Sequence, residues 1–464
     1  MKKLKRKQEI VLDIEKVAFG GQGIGRMDDF VVLVDQTLPG DRVRARLRKV
    51  KKNYAEAFPI EILEASHLRI EAPCKHFGYC GGCKWQNVPY TVQLKFKKAH
   101  VLESLEHIGK ISPETIHDVL PAPQIFGYRN KMEFSFSDNR WLTPEELNRP
   151  EIKKDFALGF HVPRFFDRVI DIEKCWLQSD LLNEILDFSR SFFRNSGIPV
   201  YHLRKHEGIL RYLMLRQSFA FEEVMVNVVT AENIVDRLKP FSEQLVKRFP
   251  QVVSVVNNVN TRSGQTAFGE QEFLVYGRPT IREKLGDFIF EISANSFFQT
   301  NTLQAENLYR IVAEYARLQG HETVWDMYSG TGTIAIFLSP YARQVIGFEL
   351  VESAVEDARR NAELNRIANC TFVQGDIRTR MKAYQHAPPD VVICDPPRAG
   401  MHPDVVQFLK QLRPERLVYV SCNPTTMARD LGGLIPFYRL VEVQPVDMFP
   451  HTHHIESVAR LERK

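Results

Sequence analysis

The stretch Asp326-Met327-Tyr328-Ser329-Gly330-Thr331-Gly332-Thr333 follows an apolar strand pattern, Thr323 to Asp326, and opens a helix. A glycine turn at such a junction lets the backbone approach a ligand. A carboxylate ending the next strand can accept hydrogen bonds from both hydroxyls of a ribose. Glu349 ends that strand, Val345 to Glu349. Such a turn can be purely structural, so its surroundings decide. A helix pattern at Glu352 to Leu364 and strand patterns at Val391 to Asp395 and Leu417 to Ser421 continue an alternation beyond residue 290. That alternation argues an α/β, doubly wound, Rossmann-like sheet. Asp376, in Gly375-Asp376, and Asp395 add two carboxylates, and the set points to S-adenosylmethionine rather than a dinucleotide.

Working outward, residues 8 to 64 read as short strands and turns: Val11 to Lys16, Phe30 to Val34, and Val43 to Val50 after the Pro39-Gly40-Asp41 turn. Glycine punctuation between short strands suggests a small barrel of the OB type. Gly20-Gly21-Gln22-Gly23-Ile24-Gly25-Arg26 is no nucleotide-binding fingerprint, since no helix pattern follows it. It reads as a hairpin turn or as a loop lying close to RNA. A helix is expected over 91–110 with Val101, Leu105 and Ile108 on one face. Residues 125 to 285 are strand-rich, with one helix near Leu181 to Phe193, as in an α+β domain. The expected domains are therefore 1–64, 65–285 and 286–464, the 91–110 helix being free to pack on the last.

A chain of 464 residues holds two or three cores. No apolar run reaches the 18 or so residues of a membrane span, and Met1-Lys2-Lys3-Leu4-Lys5-Arg6-Lys7 lacks the apolar stretch of a signal peptide, so a cytoplasmic protein is expected. The net charge of +5 is modest. Basic residues concentrate in Lys2 to Lys7, Arg42 to Lys52, and Lys95, Lys97 and Lys98. Such segments either track a phosphate backbone or are solvated faces.

Three segments carry reactive groups: Asp395-Pro396-Pro397-Arg398, Ser421-Cys422-Asn423-Pro424, and Asp447-Met448-Phe449-Pro450-His451-Thr452-His453-His454-Ile455-Glu456. They supply a proline-rigid acidic floor at a strand end, a thiol and a carboxylate. C5 of uracil is too poor a nucleophile to accept a methyl group directly. A thiolate adding at C6 makes C5 nucleophilic, and a base must then remove the C5 proton so that the thiol can leave. Cys422 is the candidate nucleophile and Glu456 the candidate base. A strand-end cysteine is more often a small buried hydrophobe, but Asn423-Pro424 forces a turn that exposes this one. His451, His453 and His454 alternate along an extended segment, which disfavours a shared metal.

The seven cysteines are too few and too uneven for a disulfide framework. Cys74, Cys80 and Cys83 lie close together in a turn-prone segment, with Cys175 downstream. Four thiolates can hold an iron-sulfur cluster or zinc. Zinc usually takes two short-spaced pairs, so the cluster is favoured.

Together these motifs resemble the RNA uracil-C5-methyltransferase family, in particular its branch acting on 23S ribosomal RNA, over nearly the whole chain. The resemblance implies a class I methyltransferase domain, an N-terminal OB-like TRAM barrel for residues 8–64, and a 4Fe-4S cluster on Cys74, Cys80, Cys83 and Cys175. Phe298-Gln299-Thr300-Asn301 resembles the family's Phe-Gln-x-Asn stretch. It implies Gln299, with Tyr328, Glu349, Asp376 and Asp395, as contacts of S-adenosylmethionine, and Cys422 and Glu456 as catalytic residues. Ser329 stands where the family often has cysteine. The target base must leave its stack, and Phe297 or Phe298 offers it a stacking face. The implied partner is RNA, with no membrane and a monomeric chain. Three rivals stay open: a tRNA uracil-C5 enzyme, an exocyclic-amine methyltransferase using Asp395-Pro396-Pro397-Arg398, and an RNA-binding protein with a vestigial enzyme domain.

Overall fold

The computed structural model describes residues 4–384 and 388–464, so Lys2 and Lys3 of the first basic run lie outside the described residues. Five strands close the N-terminal barrel in the order Glu9–Val17, Gly23–Met27, Phe30–Val34, Tyr54–Glu64 and Arg42–Val50. The glycine run is therefore partly strand. Gly20 and Gly21 turn at positive φ, whereas a Cβ on Gly25 would stand 2.5 Å from Leu12 Cδ1, so the tight barrel wall leaves no space for a side chain there. The basic strand Arg42–Val50 is largely neutralised from within the barrel. Arg44 pairs with Glu61 at 2.5 Å, Arg46 with Glu9 at 2.7 Å, and Arg48 with Glu56.

The central region is an eight-stranded sheet in the order Gln271–Gly277, Val252–Val259, Val224–Thr230, Leu210–Gln217, Lys131–Ser137, Ala157–His161, Val169–Asp171 and Arg140–Trp141. Helix Asp180–Asn195 packs on it, capped by the Ser179 hydroxyl. A second helix, Val235–Arg248, was concealed in the sequence by the internal Pro240.

The C-terminal sheet also has eight strands, ordered Cys370–Gln374, Gln344–Glu349, Thr323–Met327, Val391–Cys394, Arg416–Ser421, Glu456–Arg463, Tyr438–Val446 and Thr115–Ile116. The first five run parallel, and Glu456–Arg463 is antiparallel to its neighbours. The sheet is thus mixed, where the sequence suggested purely parallel pairing. Its last strand comes from the N-terminal half of the chain. Helix Tyr90–Ser104 continues through a π turn, Leu105–Gly109, and packs on the same side. Val101 and Leu105 are buried as expected, but Ile108 is 49% exposed because the π turn rotates it off the apolar stripe. Among the described residues no helix is long and apolar enough to cross a membrane.

Candidate active site

Strand register assembles this site. Ser421 pairs with Ser457 across the antiparallel strands Arg416–Ser421 and Glu456–Arg463. Cys422, one residue on, therefore stands opposite Glu456, one residue back. Cys394 pairs with Tyr419 on the other flank, which brings Asp395 to the adjacent strand end. Ligands bind outside such carboxyl ends in doubly wound sheets. Here a cavity of about 1040 Å³ opens, lined by Gln299, Tyr328, Glu349, Asp376, Asp395, Cys422 and Glu456 together.

Local hydrogen bonds fix each side chain. Asn423 caps helix Pro424–Leu434 through Thr425 N at 3.1 Å, and its amide donates to Arg398 O at 3.1 Å. The thiol turn and the Asp-Pro-Pro-Arg segment are thereby one unit. Glu349 accepts from Gly330 N at 3.0 Å and Val351 N at 2.8 Å, which ties the glycine turn to the next strand end. Gly330 and Gly332 have positive φ, and so does Tyr328 at 70°. Ser329 is buried, and a Cβ on Gly347 would stand 2.8 Å from its hydroxyl, so this position demands a small side chain. Gln299 is held through its carbonyl by Asn130 Nδ2 at 2.8 Å. Asp376 caps helix Ile377–Ala383 and is bound by Arg378, which draws its carboxyl down to about 2. Phe298 is core, whereas Phe297 is 65% exposed at the cavity wall, which leaves Phe297 as the available stacking face.

The reactive groups are electrostatically coupled. Burial pushes Asp395 up to about 7. Burial and then Asp395 hold Glu456 well above the ordinary carboxyl range, and Arg398 opposes the shift. Burial, Glu456 and Asp395 push the Cys422 thiol up to about 12, again against Arg398. The neighbourhood therefore does not supply a ready thiolate. Arg398, which opposes both shifts, was quoted in the sequence without a role. A cation entering this cavity favours the ionised form of all three groups.

The segment 447–456 is clamped by helix Tyr90–Ser104. Lys97 Nζ donates to Asp447 Oδ1 at 2.5 Å and to Phe449 O at 3.0 Å, with both ionic side chains fully buried. Gln93 Oε1 accepts from His451 N at 2.9 Å, and Gln93 Nε2 meets His451 Nδ1 at 3.1 Å. Lys97 is therefore no phosphate contact, contrary to its placement in a basic run, and Lys98 pairs with Asp118 at 2.6 Å. The signal was a lysine four residues before Val101 on the apolar stripe. Burial lowers His451 and His454 to about 4 and His453 to about 3, so all three are neutral. Phe126 stacks on His451 at 4.3 Å, and Phe19 of the barrel meets His453 edge-on at 5.8 Å.

Cys74, Cys80, Cys83 and Cys175 line a second cavity, together with Met132, Phe160 and Ile172. All four are free thiols. Each sulfur accepts an N–H: Cys80 from Gly82 N at 3.3 Å, Cys83 from Gln86 Nε2 at 3.2 Å, Cys74 from the amides of His76 and Phe77, and Cys175 from those of Leu177 and Gln178. Among the described residues, no three His, Cys, Asp or Glu side chains are arranged to hold a single metal ion.

The profile of the tRNA (Uracil-5-)-methyltransferase family matches residues 218–464, more than half of the chain. The chain belongs to this family. The TRAM domain profile matches residues 3–60, over the closed barrel. An uncharacterized RNA methyltransferase of Chlorobaculum tepidum is 46% identical over 433 residues, covering 92% of this chain and 90% of the relative. One of Bacteroides thetaiotaomicron is 43% identical over 453 residues, covering 96% and 100%. The solved structure of the Pyrococcus abyssi tRNA (uracil-54, C5)-methyltransferase in complex with S-adenosyl-L-homocysteine superposes with a TM-score of 0.74 at 33% identity, covering 97% of this chain and all of that one. The protein is an RNA (uracil-5-)-methyltransferase with a class I methyltransferase fold.

Within this enzyme the buried Lys97–Asp447 pair is expected to carry much of the stability of the 447–456 segment. Lys97→Met leaves a buried carboxylate without its cation, at a cost of about 3–5 kcal/mol, while Lys97→Met with Asp447→Leu restores most of it. Denaturant midpoints of the two variants check this. A single variant as stable as the parent contradicts it.

Proposed function

We propose that the enzyme methylates C5 of a specific uridine in 23S ribosomal RNA, with S-adenosylmethionine as methyl donor. The observation that carries the proposal is the register that sets Cys422 against Glu456 beside Asp395 in one cavity. Cys422 Sγ adds to C6 of the flipped uracil, and the electron density moved to C5 accepts the methyl group. Glu456 then takes the C5 proton, and the C5–C6 double bond reforms as the thiol leaves. Burial and Asp395 raise its proton affinity, so Glu456 serves as base once a cation in the cavity has drawn it into its ionised form. The sulfonium brings the cation that offsets Asp395 and Glu456, favouring the thiolate. Glu349 is the acceptor for the ribose hydroxyls. Gln299, Tyr328 and Asp376 line the remainder of the cofactor's surface, Asp395 touches both cofactor and base, and Phe297 stacks on the base.

The four cysteines fit a 4Fe-4S cluster. Cys74, Cys80, Cys83 and Cys175 line one cavity and would hold such a cluster through four thiolates. N–H donors on all four sulfurs suit thiolate ligands. When bound, such a cluster would brace the loop 74–83 against Cys175, and the methyl-transfer chemistry needs no electron transfer from it. Anaerobically prepared protein is expected to contain iron and acid-labile sulfide, both lost in Cys80→Ser. Zinc in their place contradicts the cluster.

Ribosomal RNA is favoured as the substrate only by the resemblance of the four-cysteine segment and the barrel to the ribosomal-RNA branch of the family, and a cytoplasmic monomer is the setting we propose. A transfer RNA substrate is the second reading, favoured by the likeness to the Pyrococcus abyssi enzyme. Incubation with S-adenosylmethionine and RNA containing 5-fluorouridine separates the two. Fluorine cannot leave C5 as a proton, so the Cys422 thioether persists on a denaturing gel. An adduct with ribosomal RNA, absent in Cys422→Ala, is expected. An adduct with transfer RNA alone changes the substrate, and no adduct with either favours amine methylation.

A further inference from the structure

A third cavity, of about 320 Å³, lies on the central domain outside the methyl-transfer site. Asp138, Asn139, Arg168, Tyr201, His202 and Arg204 line it. Its edge is the loop 162–168, where Phe165 and Phe166 are 40% and 53% exposed. Arg168 lies over both Trp141, at 5.4 Å, and Phe165, at 5.1 Å, and makes no ion pair or side-chain hydrogen bond among the described residues. Arg204 lies over Phe166 at 5.3 Å and pairs with Asp167 at 2.6 Å. The Asp138 carboxylate has His202 as its nearest ionic neighbour, at 4.0 Å. The cavity thus presents Arg168, which has no ion pair among the described residues, and the Asp138 carboxylate with open acceptor capacity, while Asp167 on its wall is taken up by Arg204 and the exposed rings of Phe165 and Phe166 stand beside it.

The cavity is tied to the active-site mouth. Gln265 Nε2 donates to Phe166 O at 2.9 Å, and Phe268 of the same loop is 49% exposed on the wall of the methyl-transfer cavity. Arg211 donates to Arg262 O at 2.6 Å from that loop and lies over the Tyr201 ring at 4.5 Å. The loop that carries Phe268 at the active-site mouth is thus bonded to the loop that edges this cavity.

We propose that the cavity is a second nucleotide site, holding an unpaired nucleotide that flanks the target in the substrate RNA. The proposal rests on RNA being the substrate, as in the preceding section. The base stacks on the aromatic loop, as bases do on exposed phenylalanine, and Arg168 faces the phosphate. Asp138 accepts from an exocyclic amine, so adenine, cytosine or guanine is selected over uracil, which has none.

Two readouts test it. Fluorescence anisotropy with short labelled oligoadenylate, oligocytidylate and oligouridylate is expected to show the amine-bearing oligomers bound more tightly. Phe166→Ala and Arg168→Gln should weaken binding about tenfold, and Asp138→Ala, which removes the acceptor, should erase the preference. Equal binding of the three oligomers by the parent, or variants that bind like it, overturns the site whether or not methylation is seen. On the methylated RNA, Phe166→Ala should raise KM about tenfold with kcat unchanged. An abasic nucleotide at the flanking position should penalise the parent and not the variant. An abasic penalty of equal size in both also overturns the site. A parent that binds these oligomers as expected yet methylates no RNA overturns the function reading instead.

Discussion

The pairing of Ser421 with Ser457 is the constraint on which the site depends. In a sheet, side chains alternate with period two, so a slip of one residue turns a whole strand over. Such a slip here would send Cys422 and Glu456 to opposite faces of the sheet. The register is strongly specified because Glu456–Arg463 is buried along nearly its whole length, between Arg416–Ser421 and Tyr438–Val446. Even its buried Arg460 is answered, by Glu442 at 2.6 Å on the neighbouring strand. An antiparallel strand in an otherwise parallel sheet lets its N-terminal end meet the C-terminal end of its neighbour, and Glu456 meets Cys422 there.

The loop that delivers Glu456 is held from every part of the chain. Lys97 and Gln93 grip it from the helix, Tyr128 OH donates to Pro450 O at 3.1 Å from the central region, and Phe19 reaches His453 from the barrel. The barrel's own basic strand is spent largely on internal ion pairs. The barrel's contact with the segment that carries Glu456 is mechanical, through Phe19 against His453.

Legibility in the sequence followed physical rules. The glycine turn, Glu349 and the apolar parallel strands were legible because buried strands read as continuous apolar runs, and the helix Glu352–Leu364 carries its own period. Tyr438–Val446 and Glu456–Arg463 were missed because Glu442, Pro445 and Arg460 interrupt them, and those interruptions make sense only once the strands lie side by side. Gly23–Met27 read as a loop because glycine usually marks turns, whereas here barrel curvature excludes side chains. The seven candidates line one cavity, and each sits in a compact segment, with Gln299 and Tyr328 named only through the family resemblance. Lys97 lay on the apolar stripe of its helix, but its role was not readable, since its partner lies 350 residues away.

The central claim is that Glu456 removes the C5 proton after Cys422 has activated the ring. The most direct measurement is release of tritium from RNA carrying uridine labelled at C5, counted against methyl groups transferred. The account predicts one tritium released per methyl with the parent enzyme. With Glu456→Gln it predicts methyl transfer with tritium retained in a covalent protein–RNA adduct. Methyl transfer by the parent with tritium fully retained in free RNA would contradict it.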